Sequence, residues 1–101
     1  MHIARIFQRR ERYFQSADRY KEAIELYSEA GAEPEVLLAI AECHHRVAGL
    51  LAYRLNNKNQ AMHHFAAAIS LYALHEPYVY GVQEARVMCE RAMEELNTEV
   101  Q

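Results

Sequence analysis

Apolar residues recur along this chain at the three-to-four-residue spacing of amphipathic helices, and little interrupts them. Three glycines and two prolines are the strongest punctuation, and Ala, Glu, Leu, Arg and Gln fill most other positions, so the pattern predicts an all-α domain of about five helices. The first is expected from about Ile3 to Gln15, with Ile3, Phe7 and Phe14 on one stripe and Arg5, Arg9 and Arg12 on another. Ser16 or Asp18 is expected to stop it and to cap a second, Asp18 to Ala30, which ends at Gly31. Pro34 opens a third helix that continues to about Leu55, where Asn56 and Asn57 break it. A fourth runs from about Lys58 to Leu74, burying Ala61, Phe65, Ala68 and Ile69. Beyond Pro77 and Gly81, a fifth runs from about Val82 to Asn97 with Val82, Ala85, Cys89, Ala92 and Leu96 on one stripe. Short links between successive helices favour antiparallel neighbours, as stacked hairpins or as a compact bundle.

The second and fourth predicted helices share a register. At an offset of 38 residues, Ala23 falls on Ala61, Ile24 on Met62, Tyr27 on Phe65 and Ala30 on Ala68. Alanine, an aromatic four residues on and alanine three further put two small residues on either side of one bulky knob. A neighbouring helix can approach closely over such a face.

At these residues the chain resembles the tetratricopeptide repeat family. Phe14, Tyr20, Glu22, Ala23, Ile24, Tyr27 and Ala30 match its consensus residue types in a first copy, and Gly49, Ala61, Phe65 and Ala68 do so in a second. The resemblance implies a superhelix of antiparallel helical hairpins: repeat 1 at about 4–33, repeat 2 at about 34–74 and a capping helix at about 82–97. The interval of 38 departs from the family's usual repeat of about 34 residues, an excess near one helical turn. Glu11 stands where the family has a small residue, and Asn56 to Lys58 replace the usual Gly-x-Tyr turn. A second resemblance, of ADRYKEAIELYSEA and LLAIAECHHRVAGLLAYRL to two helices of a microtubule-interacting-and-trafficking domain, leaves the last two helices unexplained.

Charge changes the picture in one respect. The net charge of −3 is small, but the signs alternate in blocks: six basic and two acidic residues in 1–21, six glutamates and no base in 22–42, three bases and no acid in 43–74, two bases and six glutamates in 75–101. This suits electrostatic matching between helices, or a peptide groove of one sign, better than nucleic-acid binding. With 51% hydrophobic residues dispersed among charges, the 101-residue chain is expected to bury one core, to lack a membrane span and signal peptide, and to be cytoplasmic. Cys43 and Cys89 lie inside helical patterns at no metal-binding spacing and read as reduced, core-facing thiols.

Six histidines raise the question of a metal, but neighbours on a helix diverge by about 100°, so neither His44-His45 nor His63-His64 chelates alone. About a turn at Asn57 the two pairs are expected at different heights. No metal site or cofactor is assigned, and no nucleophile–base constellation stands out beyond Cys43 beside its histidines, so an enzyme is not expected. Carried over from the family, the groove-lining places fall on Arg5, Gln8, Arg12 and Gln15 in the first copy. In the second they fall on Cys43, Arg46, Leu50 and Tyr53, with Arg54 beside them. Guanidinium groups grip carboxylates by paired hydrogen bonds, so the expectation is a non-catalytic adaptor binding an acidic peptide or a partner's helix. The alternative is a self-assembling module pairing through Tyr72, Leu74, Tyr78 and Tyr80.

Overall fold

A computed structural model describes the backbone of residues 2–100 and the side chains of residues 9–98. Four helices account for nearly all of it: α1 His2–Ala30, α2 Pro34–Tyr53, α3 Lys58–His75 and α4 Val82–Val100. The expected count of about five is therefore corrected to four, because residues 2–30 form one rod of 29 residues, about 43 Å long at 1.5 Å per residue. Ser16 and Asp18 do not break it. A break at that point forfeits about four intrahelical hydrogen bonds, leaving four carbonyls on one side and four amides on the other without partners, whereas mid-helix Ser or Asp costs only about 0.5 kcal/mol. Ala17 between them is 2% exposed against α2, so packing holds the segment helical where capping chemistry invites a stop.

The remaining ends follow local rules. Pro34 opens α2, where its missing N–H is no loss. Beyond Tyr53 the chain folds back on itself: the Leu55 amide donates to the Leu50 carbonyl at 2.9 Å and the Asn57 amide to the Leu51 carbonyl at 2.7 Å. Asn56 takes the left-handed conformation at φ 55°, which asparagine tolerates better than most residues, and the Asn57 side chain caps α3 by accepting from the Gln60 amide at 3.3 Å. Between α3 and α4, Gly81 adopts φ 88°, a conformation that would strain a residue with a Cβ. Arg86 clamps this turn, donating to both oxygens of Glu76 at 2.6 and 3.0 Å and to Glu90 at 2.6 Å. These hydrogen bonds hold the Glu76 carboxyl below its usual range and raise the guanidinium further above its own.

Each helix packs on its neighbours in sequence, so α3 is sandwiched between α2 and α4 while α1 has α2 as its one substantial neighbour. The result is elongated, 50 × 33 × 20 Å, with a radius of gyration of 14.6 Å; a closed globule of this length has about 13 Å. The core runs through the middle pair: Val47, Ala48 and Leu51 of α2 meet Ala61, Phe65 and Ala68 of α3, with Cys89 and Leu96 of α4 closing the other side. The shared register of Ala23-Tyr27-Ala30 and Ala61-Phe65-Ala68 does not give shared surroundings. Phe65 is 2% exposed, whereas Tyr27 is 40% exposed and Ala30 faces solvent, which corrects the expectation that both faces are packing faces. By length and composition α2 is also apolar enough to cross a membrane, a criterion that buried core helices meet as well. Within this fold its Ile40, Val47 and Leu51 are buried against neighbouring helices, as in a core helix.

Candidate interaction groove

Not all of α2 is covered. Leu38, Glu42, Arg46, Gly49, Leu50 and Tyr53 recur at three- and four-residue spacing along a flank that its neighbours leave open. Walls rise on both sides of this stripe. Toward α1 lies a hollow of about 570 Å³ lined by Tyr13, Ser16 and Tyr20 from α1 and by Arg46, Gly49, Leu50, Tyr53 and Arg54 from the α2 segment. Toward α4 lies another of about 540 Å³, lined by Leu38, Glu42, His45 and Arg46, with Tyr72, Tyr80 and the start of α4. Arg46 lines both, so the two hollows succeed one another along α2 as a trough with Arg46 at the divide.

Its charges are poised rather than locked. Arg46 donates to Glu42 from Nε at 3.2 Å and Nη2 at 3.0 Å, one turn apart on the same helix, with both side chains more than half exposed. These hydrogen bonds, and the nearby Tyr20 hydroxyl, raise the Arg46 pKa, so the group stays cationic. A solvent-exposed pair of this kind contributes about 0–1 kcal/mol, little enough for an incoming carboxylate to compete with Glu42. Arg54 stacks its guanidinium 5.4 Å from the centre of the Tyr13 ring, which fixes the cation at the far end of the trough. Between the two arginines, a Cβ added at Gly49 meets nothing within 4 Å, so the missing side chain leaves room there.

Of the residues expected to line a groove, Arg46, Leu50, Tyr53 and Arg54 are brought together in this trough. Arg12 and Gln15 are exposed on α1 but do not line it; Tyr13, Ser16 and Tyr20 take their place, a rotation of one residue or about 100°. The side chains of Arg5 and Gln8 lie outside the described residues. Cys43 turns into the core instead. Burial, then the charge of Glu42, raises its thiol pKa, and burial pushes Cys89 up to about 11, opposite to what a thiolate nucleophile requires. Gly49 was legible in the sequence only as a family match. The Tyr13 and Tyr20 pair, seven residues apart around Ala17, was the overlooked signal for the α1 wall.

The histidines also depart from expectation. His44 and His64 are not at different heights: their Nδ1 atoms lie 2.9 Å apart, one ring donating and the other accepting. The cause is the fold-back at Leu55 and Asn57, which starts α3 beside the last turn of α2 rather than beyond it. His45 faces Phe65 and Tyr72, with its Nδ1 3.4 Å from the Tyr72 hydroxyl. Burial lowers the pKa of His44, His45 and His64, and the neighbouring His44, Lys21 and His63 lower that of His64 further. Burial pushes the Tyr72 phenol up to about 12. Among the described residues no group of three or more His, Cys, Asp and Glu side chains converges as a metal-binding set.

Compared with protein-family models, with curated proteins and with solved structures, the chain matches none.

Proposed function

We propose that this protein is a non-catalytic interaction module that holds an acidic peptide or partner helix in the trough along α2. One observation carries the reading: Arg46 is shared by two hollows of about 540 and 570 Å³, with Arg54 at one end and an unfilled glycine between the two cations. The stripe from Leu38 to Arg54 is about 24 Å long at 1.5 Å per residue, enough for four turns of a bound helix. Leu50 and Tyr53 offer apolar contact between the arginines, the mix of anchor and charge that a groove-bound helix uses. Adaptor and scaffold roles belong to this proposal. So does the tetratricopeptide-like reading, supported by the α2–α3 pair and its Ala61-Phe65-Ala68 face, although the rod-like α1 supplies no second hairpin. A cytoplasmic setting is proposed with it, supported by two buried free thiols.

The self-assembly alternative keeps one specific support, since Leu74, Tyr78 and Tyr80 are strongly exposed around the α3–α4 turn. Tyr72 leaves that set because it is buried.

Filling the trough separates binding from folding. Gly49→Leu places a side chain where nothing now stands and improves helix propensity. It should weaken capture of a fluorescent Glu-rich helical peptide at least tenfold without lowering Tm. Arg46→Glu combined with Arg54→Glu should abolish capture. Unchanged anisotropy titrations for both variants would refute the groove.

A further inference from the structure

The 38-residue offset that relates α1 to α3 also sets Leu26 on His64, between the pairs Ala23 and Ala61 and Ala30 and Ala68. At 100° per residue these three positions lie within about 60° of one another on each helix. In α3 this face is closed by α2: Ala61 and Ala68 are fully buried and His64 touches His44. In α1 it is open. Leu26 is 68% exposed, Ala30 is exposed and Ala23 is half-buried, because the residues that would fold back to cover them continue instead as the first half of the rod.

The electrostatics around this face are one-sided. Glu22 and Glu29 lie within about 60° of Leu26 on the same helix, and no basic residue occurs from 22 to 42; Arg19, about 20° from Leu26 and two turns back, bounds the face at its N-terminal end, while Lys21 lies about 140° away, near His64. The last turn of α1 carries no base, although a helix C-terminus favours one, so Glu29 adds its charge to the negative end of the backbone dipole. None of the ion pairs among the described residues falls on α1 to relieve it.

We infer that the Ala23-Leu26-Ala30 face is a docking surface for an amphipathic helix of a partner protein, one with an apolar stripe and lysine or arginine flanks. The alanines let the incoming backbone approach as closely as α2 approaches α3, Leu26 fills the space between its side chains, and the flanking cations meet Glu22 and Glu29. The open length, residues 22–30, is about 13 Å and takes about two and a half turns of an incoming helix. This surface selects the opposite charge from the trough on α2, so the two do not compete for one ligand.

Two synthetic 16-residue helical peptides with the same Leu/Ala stripe test it, one with Lys and Arg flanks and one with Glu flanks. The basic-flanked peptide should bind in anisotropy titrations, more weakly as salt rises. Leu26→Arg, and separately Glu22→Lys with Glu29→Lys, should weaken it at least tenfold. Leu26→Arg should leave capture of the Glu-rich peptide by the α2 trough intact, so failure here is distinguishable from failure there. Equal binding of both peptides, binding of neither, or an indifferent Leu26→Arg variant overturns the inference. So does a dimer of the free chain that Leu26→Arg dissociates, since the occupant is then a second copy.

Discussion

The second half of α1 and the middle of α3 show the same residue pattern in two environments. Ala61-Phe65-Ala68 has a helix on each side and is sealed; Ala23-Tyr27-Ala30 has one neighbour, and its aromatic stays 40% exposed. Sequence pattern therefore specifies what a face can pack against, while its position in the stack decides whether anything does. An inner helix turns the pattern into stability, and an outer one leaves it open to solvent.

Exchanging the aromatics gives the widest separation. Phe65→Ala empties a site that is 2% exposed and should cost about 3–5 kcal/mol, enough to unfold much of a domain this small. Tyr27→Ala should stay within about 1 kcal/mol. Chemical denaturation measures both, and equal losses would erase the distinction between the faces. The alanines respond in the same order with smaller numbers. Ala68→Leu overpacks a fully buried contact, for about 1–3 kcal/mol lost, whereas Ala30→Leu on the open face should change stability by no more than about 0.5 kcal/mol.

Acid should act on the closed face alone. His44, His45 and His64 are held neutral chiefly by burial, with His63, Lys21 and Arg46 opposing a proton and Glu42 favouring one at His45. The unfolded chain takes up protons near the ordinary histidine value of about 6.5. Between that value and the depressed folded values the unfolded state binds more protons, so stability is full above pH about 6.5 and declines as pH falls below it. Melting curves followed by circular dichroism should show this decline. His64→Leu, which installs the residue found at the matching place in α1, should flatten it. The smallest effect is a gain on the open flank of α2: Gly49→Ala should stabilise by about 0.5–1 kcal/mol, since its methyl group meets nothing within 4 Å. In a domain of this size that raises Tm by about 2–8 °C.

How far the sequence reached follows from the same contrast. Pro34, Asn56 and Asn57, and Gly81 mark helix ends with residues that allow few alternatives, and the structure places ends at or within a few residues of each. Ser16 and Asp18 are weaker signals, because both residues are tolerated inside a helix. What decides there is Ala17 packed on α2, a tertiary contact that no local pattern displays. The α2 residues Arg46, Leu50, Tyr53 and Arg54 were implied by the family resemblance, and they share one flank because they lie at helical spacing on a helix whose start is fixed by proline. The α1 side was displaced by one residue, since its register was taken from a hairpin that a continuous rod does not form. The meeting of His44 with His64 was out of reach, because it depends on a fold-back of a few ångströms at Leu55 to Asn57.

Amide hydrogen exchange reads the two faces in one experiment. Ala61 to Ala68 should exchange among the slowest amides and Ala23 to Ala30 distinctly faster, with protection unbroken from Tyr13 through Tyr20. Equal protection of the two faces, or unprotected amides at Ala17 to Tyr20 where a second helix would begin, would contradict this contrast.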